Sequence, residues 1–214
     1  MKKIFVAPSL LSADFSDLKN ETKKVESADI LHIDVMDGVF VPNITLGAKT
    51  VNDIRKYSEL IFDVHLMTVN PIKHVKNFAK AGADIITFHY EAAKDNVFEV
   101  IDEIKSFGKK AGLSIKPQTN PEEVIRYLDY IDLFLVMTVE PGAGGQKFMP
   151  DSGEKVKVIR EKAKDSLLIE VDGGINAETG KICADNGADI LVAGSYVYKS
   201  EDIEKAINSL RFEV

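Results

Sequence analysis

Histidines and carboxylates alternate with apolar residues along three short runs of the chain. The run ILHIDVMD carries His32 and Asp34, the run LIFDVHLM carries His65, and the run LLIEVDGG carries Asp172. Paired carboxylates can act as a general base and a general acid, and imidazole nitrogens with carboxylate oxygens can hold a divalent metal ion. These four side chains indicate proton-transfer chemistry supported by a metal ion.

The spacing of these polar residues places them on one face of their strands. Residues two apart on a strand share a face, so His32 and Asp34 lie opposite Leu31, Ile33 and Val35. In a parallel barrel the outer, apolar face of each strand packs on helices, so we expect the polar face to point into the centre of the barrel. Because unpaired polar groups are costly to bury, these side chains must be paired, solvated or bound to an ion.

Two imidazoles and two carboxylates on three strands make a donor set for one divalent ion. The set contains no thiolate, so it does not select zinc over iron or manganese. We predict one bound Zn, Fe or Mn ion held by His32, Asp34, His65 and Asp172.

Other residues of chemically active types have structural interpretations. We expect His89, in ITFHY, to be a hydrogen-bonded structural residue, and Asp37 and Asp63 to support loops or the metal ligands. The single cysteine, Cys183, lies in a helical pattern and is expected to be a core thiol.

The elements that must position these residues alternate between strand and helix. Charge-rich amphipathic stretches separate the apolar runs, with helix-start signals at Pro71 and Pro121 and glycine stops in AGAD (81–84) and NGAD (186–189). Eight such units of roughly 27 residues predict a single (β/α)₈ TIM barrel over residues 1–214. An open doubly wound sheet is disfavoured, because the turn after the first strand reads PSLLSAD and has no glycine-rich phosphate loop. The eight runs are KIFVAPS, ILHIDVMD, LIFDVHLM, DIITFHY, GLSIKP, LFLVMTV, LLIEVDGG and DILVAGS.

Glycine-rich turns follow the last three predicted strands. Barrels often bind phosphate in the loops after strands seven and eight, through backbone N–H groups. The sequence therefore predicts a phosphate cradle beside the metal cluster. Its turns contain Gly142, Gly144 and Gly145, then Gly173 and Gly174, then Gly194 and Ser195.

Composition narrows the class of partner. The net charge of −7 argues against nucleic acid or an anionic membrane, and no segment approaches the about 20 apolar residues of a membrane span. The N-terminal MKKIFVAPS is interpreted as a first strand instead of a secretion signal, because Pro8 and Ser9 interrupt it and no cleavage site follows. One cysteine suits a reducing compartment. We predict a cytoplasmic protein with a small-molecule partner, and we also expect a homo-oligomer.

Five segments, in order along the chain, resemble the ribulose-phosphate 3-epimerase family: HIDVMDGVFVPNITLG, DVHLM, MTVEPGAGGQKF, EVDGGIN and AGS. The resemblance implies a barrel of the ribulose-phosphate-binding type and a metal held by the four residues above. It also implies that Asp34 and Asp172 exchange protons on opposite faces of the substrate, and that three methionines line the reaction centre. These are Met36, Met67 and Met137. The implied substrate-binding residues are Ser9, His65, Gly142, Ala143, Gly144, Gly145, Asp172, Gly173, Gly174, Gly194 and Ser195.

The chain departs from the family pattern at three places on the rim of the predicted site. Val39 stands where the family usually has histidine, and Ala143 where it has an aromatic residue. The family's NPxTP motif appears as KPQTN over residues 116–120. We expect these changes to affect substrate preference more than the class of reaction.

The resemblance implies reversible epimerisation of D-ribulose 5-phosphate to D-xylulose 5-phosphate at carbon 3, a step of the pentose phosphate pathway. The implied mechanism is metal-assisted, two-base proton transfer through a cis-enediolate. One alternative is epimerisation of D-allulose 6-phosphate. A second is a Schiff-base aldolase using Lys116, which sits near the end of the fifth strand, and a third is a non-catalytic sugar-phosphate sensor.

Overall fold

Eight parallel strands form one sheet in the computed structural model, which describes residues 3–213. The strand order is β1-β8-β7-β6-β5-β4-β3-β2. The two ends of the sheet meet where Ser9, just after β1, forms a parallel bridge with His32 in β2. The strands are Phe5–Pro8 (β1), Ile30–Met36 (β2), Ile61–Met67 (β3), Ile85–His89 (β4), Lys110–Ile115 (β5), Leu133–Met137 (β6), Leu168–Asp172 (β7) and Ile190–Ala193 (β8). The prediction of a (β/α)₈ barrel is confirmed.

Helices connect successive strands around the outside of the sheet. In α3, the buried residues Val75, Phe78 and Ala79 recur at helical spacing, and Gly82 ends the helix with a left-handed φ of 107°. No helix among residues 3–213 is both long and apolar enough to cross a membrane. The helices are Leu18–Lys24 (α1), Ala48–Arg55 (α2), Ile72–Ala81 (α3), Tyr90–Ala93 (α4), Val97–Ser106 (α5), Pro150–Lys162 (α6), Ala177–Asp185 (α7), Ser195–Tyr198 (α8) and Ile203–Asn208 (α9).

The prediction of a helix after Pro121 was wrong, because the structure forms two 3₁₀ segments there instead of an α-helix. They span Pro121–Glu123 and Ile125–Tyr130. Val124 and Tyr127, three residues apart, are both buried, so one side of this connection packs into the core. A 3₁₀ segment rises about 2.0 Å per residue against about 1.5 Å in an α-helix, so this connection is more extended than the expected helix.

The alternation of strand residues divides the core in two. Leu31, Ile33 and Val35 face outwards into one large cluster with helix residues such as Val51 and Ile54. A smaller apolar cluster lies inside the barrel. Its buried members are Ala7, Ile30, Ile85, Leu133, Leu135, Met137, Val139, Ile190 and Val192. The polar inward residues of β2, β3 and β7 share this inner side of the barrel.

Candidate active site

The four predicted metal ligands converge inside the barrel. Oδ1 of Asp34 lies 3.3 Å from Nε2 of His32 and 3.1 Å from Nδ1 of His65. Asp172, at the end of β7, contributes an oxygen, and the four ligand atoms all lie within 4.8 Å of one another. Both histidines are fully buried. Three strands therefore bring the expected donor set to one point.

Asp34 is held by a residue that the sequence assigns to substrate binding. Ser9 Oγ donates a hydrogen bond of 2.7 Å to Oδ2 of Asp34. The bridge between Ser9 and His32 brings the end of β1 against β2, which explains this contact. Ser9 also lines the cavity above the site, so one residue both contacts Asp34 and faces the cavity.

The two aspartates have pKa values pushed in opposite directions. Burial would raise the pKa of Asp34, but the charge of His32 and the nearby imidazole of His65 hold it well below its usual range. Burial and then the charge of Asp34 raise the pKa of Asp172 to about 6. Two neighbouring carboxylates whose pKa values are separated in this way are candidates for a base and an acid.

Two further carboxylates lie behind His32 and are fully buried. Asp63 Oδ2 is 2.8 Å from Nδ1 of His32, and Glu170 Oε1 is 3.7 Å from the same nitrogen. The expectation that Asp63 supports a ligand agrees with this geometry, and Thr87 Oγ1 donates a 2.8 Å hydrogen bond to its other oxygen. Burial and the charge of Asp63 raise the pKa of Glu170 well above its ordinary value. The signal for Glu170 is its position two residues before Asp172, on the same inward face.

The carboxylates around His32 stabilise its protonated, positively charged form. Burial would lower the pKa of His32, but Asp34, Asp63 and Glu170 raise it well above its ordinary value. Nε2 of His32 is buried and has no hydrogen-bond partner among residues 3–213, although it points towards Asp34. A divalent ion at this unpartnered nitrogen would replace the proton as the positive charge among the carboxylates, so these residues suit a divalent ion.

His89 has the hydrogen-bonded role expected of it, but its partner belongs to the site. Its Nε2 lies 2.9 Å from Nε2 of His65, and its Nδ1 lies 3.1 Å from Oε2 of Glu91. Burial lowers the pKa of His89 to about 4. The sequence analysis missed both of these contacts. The contact of His65 with His89 joins neighbouring strands, and the contact of His89 with Glu91 depends on the conformation of the chain after β4.

Asp37 confirms its expected role in organising a loop. Its Oδ1 accepts hydrogen bonds from the backbone N–H groups of Val39 and Phe40, and its Oδ2 accepts one from Val69. These contacts join the loops that follow β2 and β3.

A cavity of about 360 Å³ opens above the cluster, at the C-terminal ends of the strands. This volume is within the range of small-molecule sites. Its lining includes both aspartates, three methionines and the three glycine turns. The predicted residues that line it are Ser9, Asp34, Met36, Met67, Met137, Gly142, Ala143, Gly144, Gly145, Asp172, Gly173, Gly174, Gly194 and Ser195. His32 and His65 lie beneath this lining, so substrate contact by His65 stays a prediction.

The glycine turn after β7 packs tightly against the loop after β6. Gly173 has a φ of 124°, and a Cβ there would lie 2.5 Å from the Val139 side chain. Gly174 has a φ of 66°, and a Cβ there would lie 2.5 Å from the backbone nitrogen of Phe148. Only glycine combines this backbone conformation with such a close approach, so the two walls of the cavity depend on these positions.

The departures from the family pattern lie on the rim. The side chain of Val39 is 72% exposed, and Ala143 is exposed on the cavity wall. Nζ of Lys116 lies 4.0 Å from the ring centroid of Phe40, a cation–π contact outside the cavity lining. None of these positions contacts the metal-ligand set.

The fold and the site define a class: a (β/α)₈ barrel enzyme that combines acid–base carboxylates with a metal-ligand cluster beneath a glycine-lined cavity. Residues 5–198 match the Ribulose-phosphate 3 epimerase family. The ribulose-phosphate 3-epimerase of Bacillus subtilis is 49% identical over 214 residues, covering 97% of this chain and 98% of that protein. The cytoplasmic isoform from Oryza sativa subsp. japonica is 45% identical, covering 98% and 93%. The chain belongs to the ribulose-phosphate 3-epimerase family, and it is accordingly an isomerase of the epimerase kind.

Two solved structures with the same fold share less of their sequence with this chain. KGPDC from Streptococcus mutans superposes with a TM-score of 0.74 at 16% identity, covering 98% of this chain and 96% of that one. A second structure of that protein, determined in complex with a ligand, gives the same TM-score and identity, with coverage of 97% and 95%. At this identity the likeness shows the barrel fold alone.

Proposed function

We propose that the protein catalyses the reversible epimerisation of D-ribulose 5-phosphate to D-xylulose 5-phosphate at carbon 3, as a step of the pentose phosphate pathway. The observation that carries the proposal is the pair Asp34 and Asp172, which line one cavity and have pKa values displaced in opposite directions. The names of the full-length relatives support the substrate.

The aspartate pair supplies the base and the acid. Epimerisation removes a proton from one face of carbon 3 and delivers a proton to the opposite face. Asp34 and Asp172 project from β2 and β7, which are separated in the sheet by β1 and β8. This placement lets each carboxylate approach the reacting carbon from its own side, and the two exchange roles in the reverse reaction.

His32, Asp34, His65 and Asp172 would hold one divalent ion, of which Zn, Fe and Mn all suit the donors. When bound, this ion supplies Lewis-acid stabilisation of the negative charge that develops on the substrate oxygens. Met36, Met67 and Met137 lie around the aspartates and exclude water from the reacting carbon.

The glycine turns after β6, β7 and β8 would bind the phosphate. All three turns, including Gly194 and Ser195 after β8, line the cavity. Their backbone N–H groups suit an anion without adding a charged side chain. A substrate held there places its sugar carbons over the aspartates.

Proton exchange at carbon 3 tests the proposal. The wild-type protein should incorporate deuterium from heavy water at that carbon, while Asp34→Asn and Asp172→Asn should abolish turnover and keep the far-UV circular dichroism of the fold. Asp53→Asn, on the exposed face of α2, is the matched control and should keep full activity. Substantial activity in both site variants would overturn the two-carboxylate scheme.

Removal of divalent metal by a chelator tests the metal role. Activity should disappear and return when Zn²⁺, Fe²⁺ or Mn²⁺ is added. Full activity in rigorously metal-free protein would reject the role of the ion while leaving the aspartate scheme to the variants above.

The alternatives have separate tests. Turnover of D-allulose 6-phosphate, compared with D-ribulose 5-phosphate, decides the preference between the two sugars. Lys116 contacts Phe40 and does not line the cavity, so no observation favours the Schiff-base aldolase, and borohydride should trap no adduct. A sensor without catalysis would show no deuterium incorporation.

The homo-oligomeric state and the cytoplasmic location also belong to this proposal. The cytoplasmic isoform among the relatives supports the location. Size-exclusion chromatography with light scattering tests the oligomeric state.

A further inference from the structure

A chain of three side chains leads away from the metal-ligand cluster into the loop after β5. Its links are His65 to His89 at 2.9 Å and His89 to Glu91 at 3.1 Å. Both imidazoles are fully buried and stack with ring centroids 4.9 Å apart. Glu91, at the start of α4, forms the outer end of this chain.

The loop after β5 holds Glu91 as a hydrogen-bond acceptor. Its Oε1 accepts a 2.8 Å hydrogen bond from the backbone N–H of Lys116 and another from the hydroxyl of Thr119. Nζ of Lys155 donates to the backbone carbonyls of Pro117 and Thr119, which holds the loop in place. With Oε1 occupied by two donors, Oε2 is directed at Nδ1 of His89.

These contacts decide where the ring protons lie. An ionised carboxylate only accepts, so Nδ1 of His89 carries a proton and donates it to Glu91. A neutral His89 then has a lone pair on Nε2, so Nε2 of His65 must donate across the 2.9 Å contact. A neutral His65 that donates from Nε2 has its lone pair on Nδ1, the nitrogen that lies 3.1 Å from Oδ1 of Asp34.

We infer that His89 and Glu91 are positioning residues, which hold His65 in the tautomer that presents the Nδ1 lone pair beside Asp34. This inference rests on the proposed function, because that lone pair is useful only for binding a cation together with His32, Asp34 and Asp172. The orienting contacts of a metal-bound histidine typically change metal affinity by about 10- to 100-fold when they are removed.

The isosteric variant Glu91→Gln reverses the chain of hydrogen bonds. The donors Lys116 N–H and Thr119 O–H require an acceptor, so the amide oxygen takes the place of Oε1. The amide NH₂ then faces Nδ1 of His89, which must accept. The proton of His89 moves to Nε2, and that of His65 moves to Nδ1, where it donates to Asp34 and blocks the lone pair.

Histidine labelling with ¹⁵N reads these tautomers directly, since the chain has only His32, His65, His74 and His89. Long-range ¹H–¹⁵N spectra of the metal-free full-length protein at about pH 8.5, well above the ordinary histidine pKa, should show His65 protonated on Nε2 in the wild type and on Nδ1 in Glu91→Gln. Competition with a fluorescent chelator should show an about 10- to 100-fold loss of Zn²⁺ affinity in Glu91→Gln. Glu99→Gln, an exposed change of the same kind on α5, should leave both readouts unchanged.

The outcomes separate this inference from the proposed function. A proton on Nδ1 of wild-type His65 overturns it without any variant, and so does a Glu91→Gln protein that keeps the His65 tautomer or the Zn²⁺ affinity of the wild type. If the tautomers and the Zn²⁺ affinities are as expected but the wild-type protein has no epimerase activity, the proposed function is wrong and the tautomer inference stands. A wild-type protein that binds no Zn²⁺ would overturn both the metal role and the purpose assigned to this tautomer.

Discussion

Ser9 donates a 2.7 Å hydrogen bond to Oδ2 of Asp34, which joins the end of β1 to a carboxylate on β2. The contact satisfies the Asp34 oxygen that does not face the histidines. It therefore orients Oδ1 towards His32 and His65, and it stabilises Asp34 in its ionised form.

Replacing Ser9 with alanine should lower kcat. A hydrogen bond to a charged group contributes about 1.5–3 kcal/mol, which corresponds to a decrease of about 10- to 160-fold. Steady-state kinetics with D-ribulose 5-phosphate measures the effect, and Ser16→Ala, at an exposed position, is the control. A kcat equal to that of the wild type would show that Asp34 does not depend on this bond.

Asp172 should make the metal-free protein less stable as the pH rises. Its pKa is raised from 3.8 to about 6, so folding favours the protonated form. That stabilisation is complete below pH 3.8 and is lost as the pH rises through about 6, with an upper limit of about 3 kcal/mol.

The difference in free energy of unfolding between wild type and Asp172→Asn, measured by urea titration across this pH window, isolates that contribution. The wild type should lose stability relative to the variant as the pH rises. A difference that stays constant, or that changes in the opposite direction, would contradict the raised pKa.

Gly174→Ala should destabilise the fold and weaken substrate binding. The left-handed φ of 66° costs a non-glycine residue about 1–2 kcal/mol, and the new Cβ would meet the backbone of Phe148 at 2.5 Å. Urea unfolding should show at least that loss, and KM should rise because the loops after β6 and β7 must separate.

Gly47→Ala is the matched control for this substitution. Gly47 has an extended backbone with a φ of −101°, and a Cβ there would have no neighbour within 4 Å. Equal effects at the two positions would show that the close approach at Gly174 is not responsible.

Cys183 should not react with thiol reagents in the folded protein. It is fully buried, and burial raises the pKa of its thiol to about 12, so the reactive thiolate is absent at about neutral pH. Ellman's reagent should label the thiol only after unfolding in guanidinium chloride. Rapid stoichiometric labelling of the native protein would contradict this placement.

The order of residues along the chain was enough to establish the barrel and its polar inner face. Eight alternating units predict the fold, and two-residue periodicity places His32, Asp34, His65 and Asp172 inside it, because both patterns depend on neighbours along the chain. The prediction of a helix after Pro121 was wrong, because it used only neighbours along the chain. A local start signal carries no information about the tertiary packing that buries Val124 and Tyr127.

The way in which the site is held together emerged only from the folded chain. The contact of Ser9 with Asp34, the pairing of His65 with His89, and the closeness of Asp63 and Glu170 to His32 join residues on different strands. The opposite pKa shifts of Asp34 and Asp172 follow from these contacts and from burial. Distances of about 3 Å between side chains depend on strand register and barrel closure, and periodicity along one strand carries no information about either.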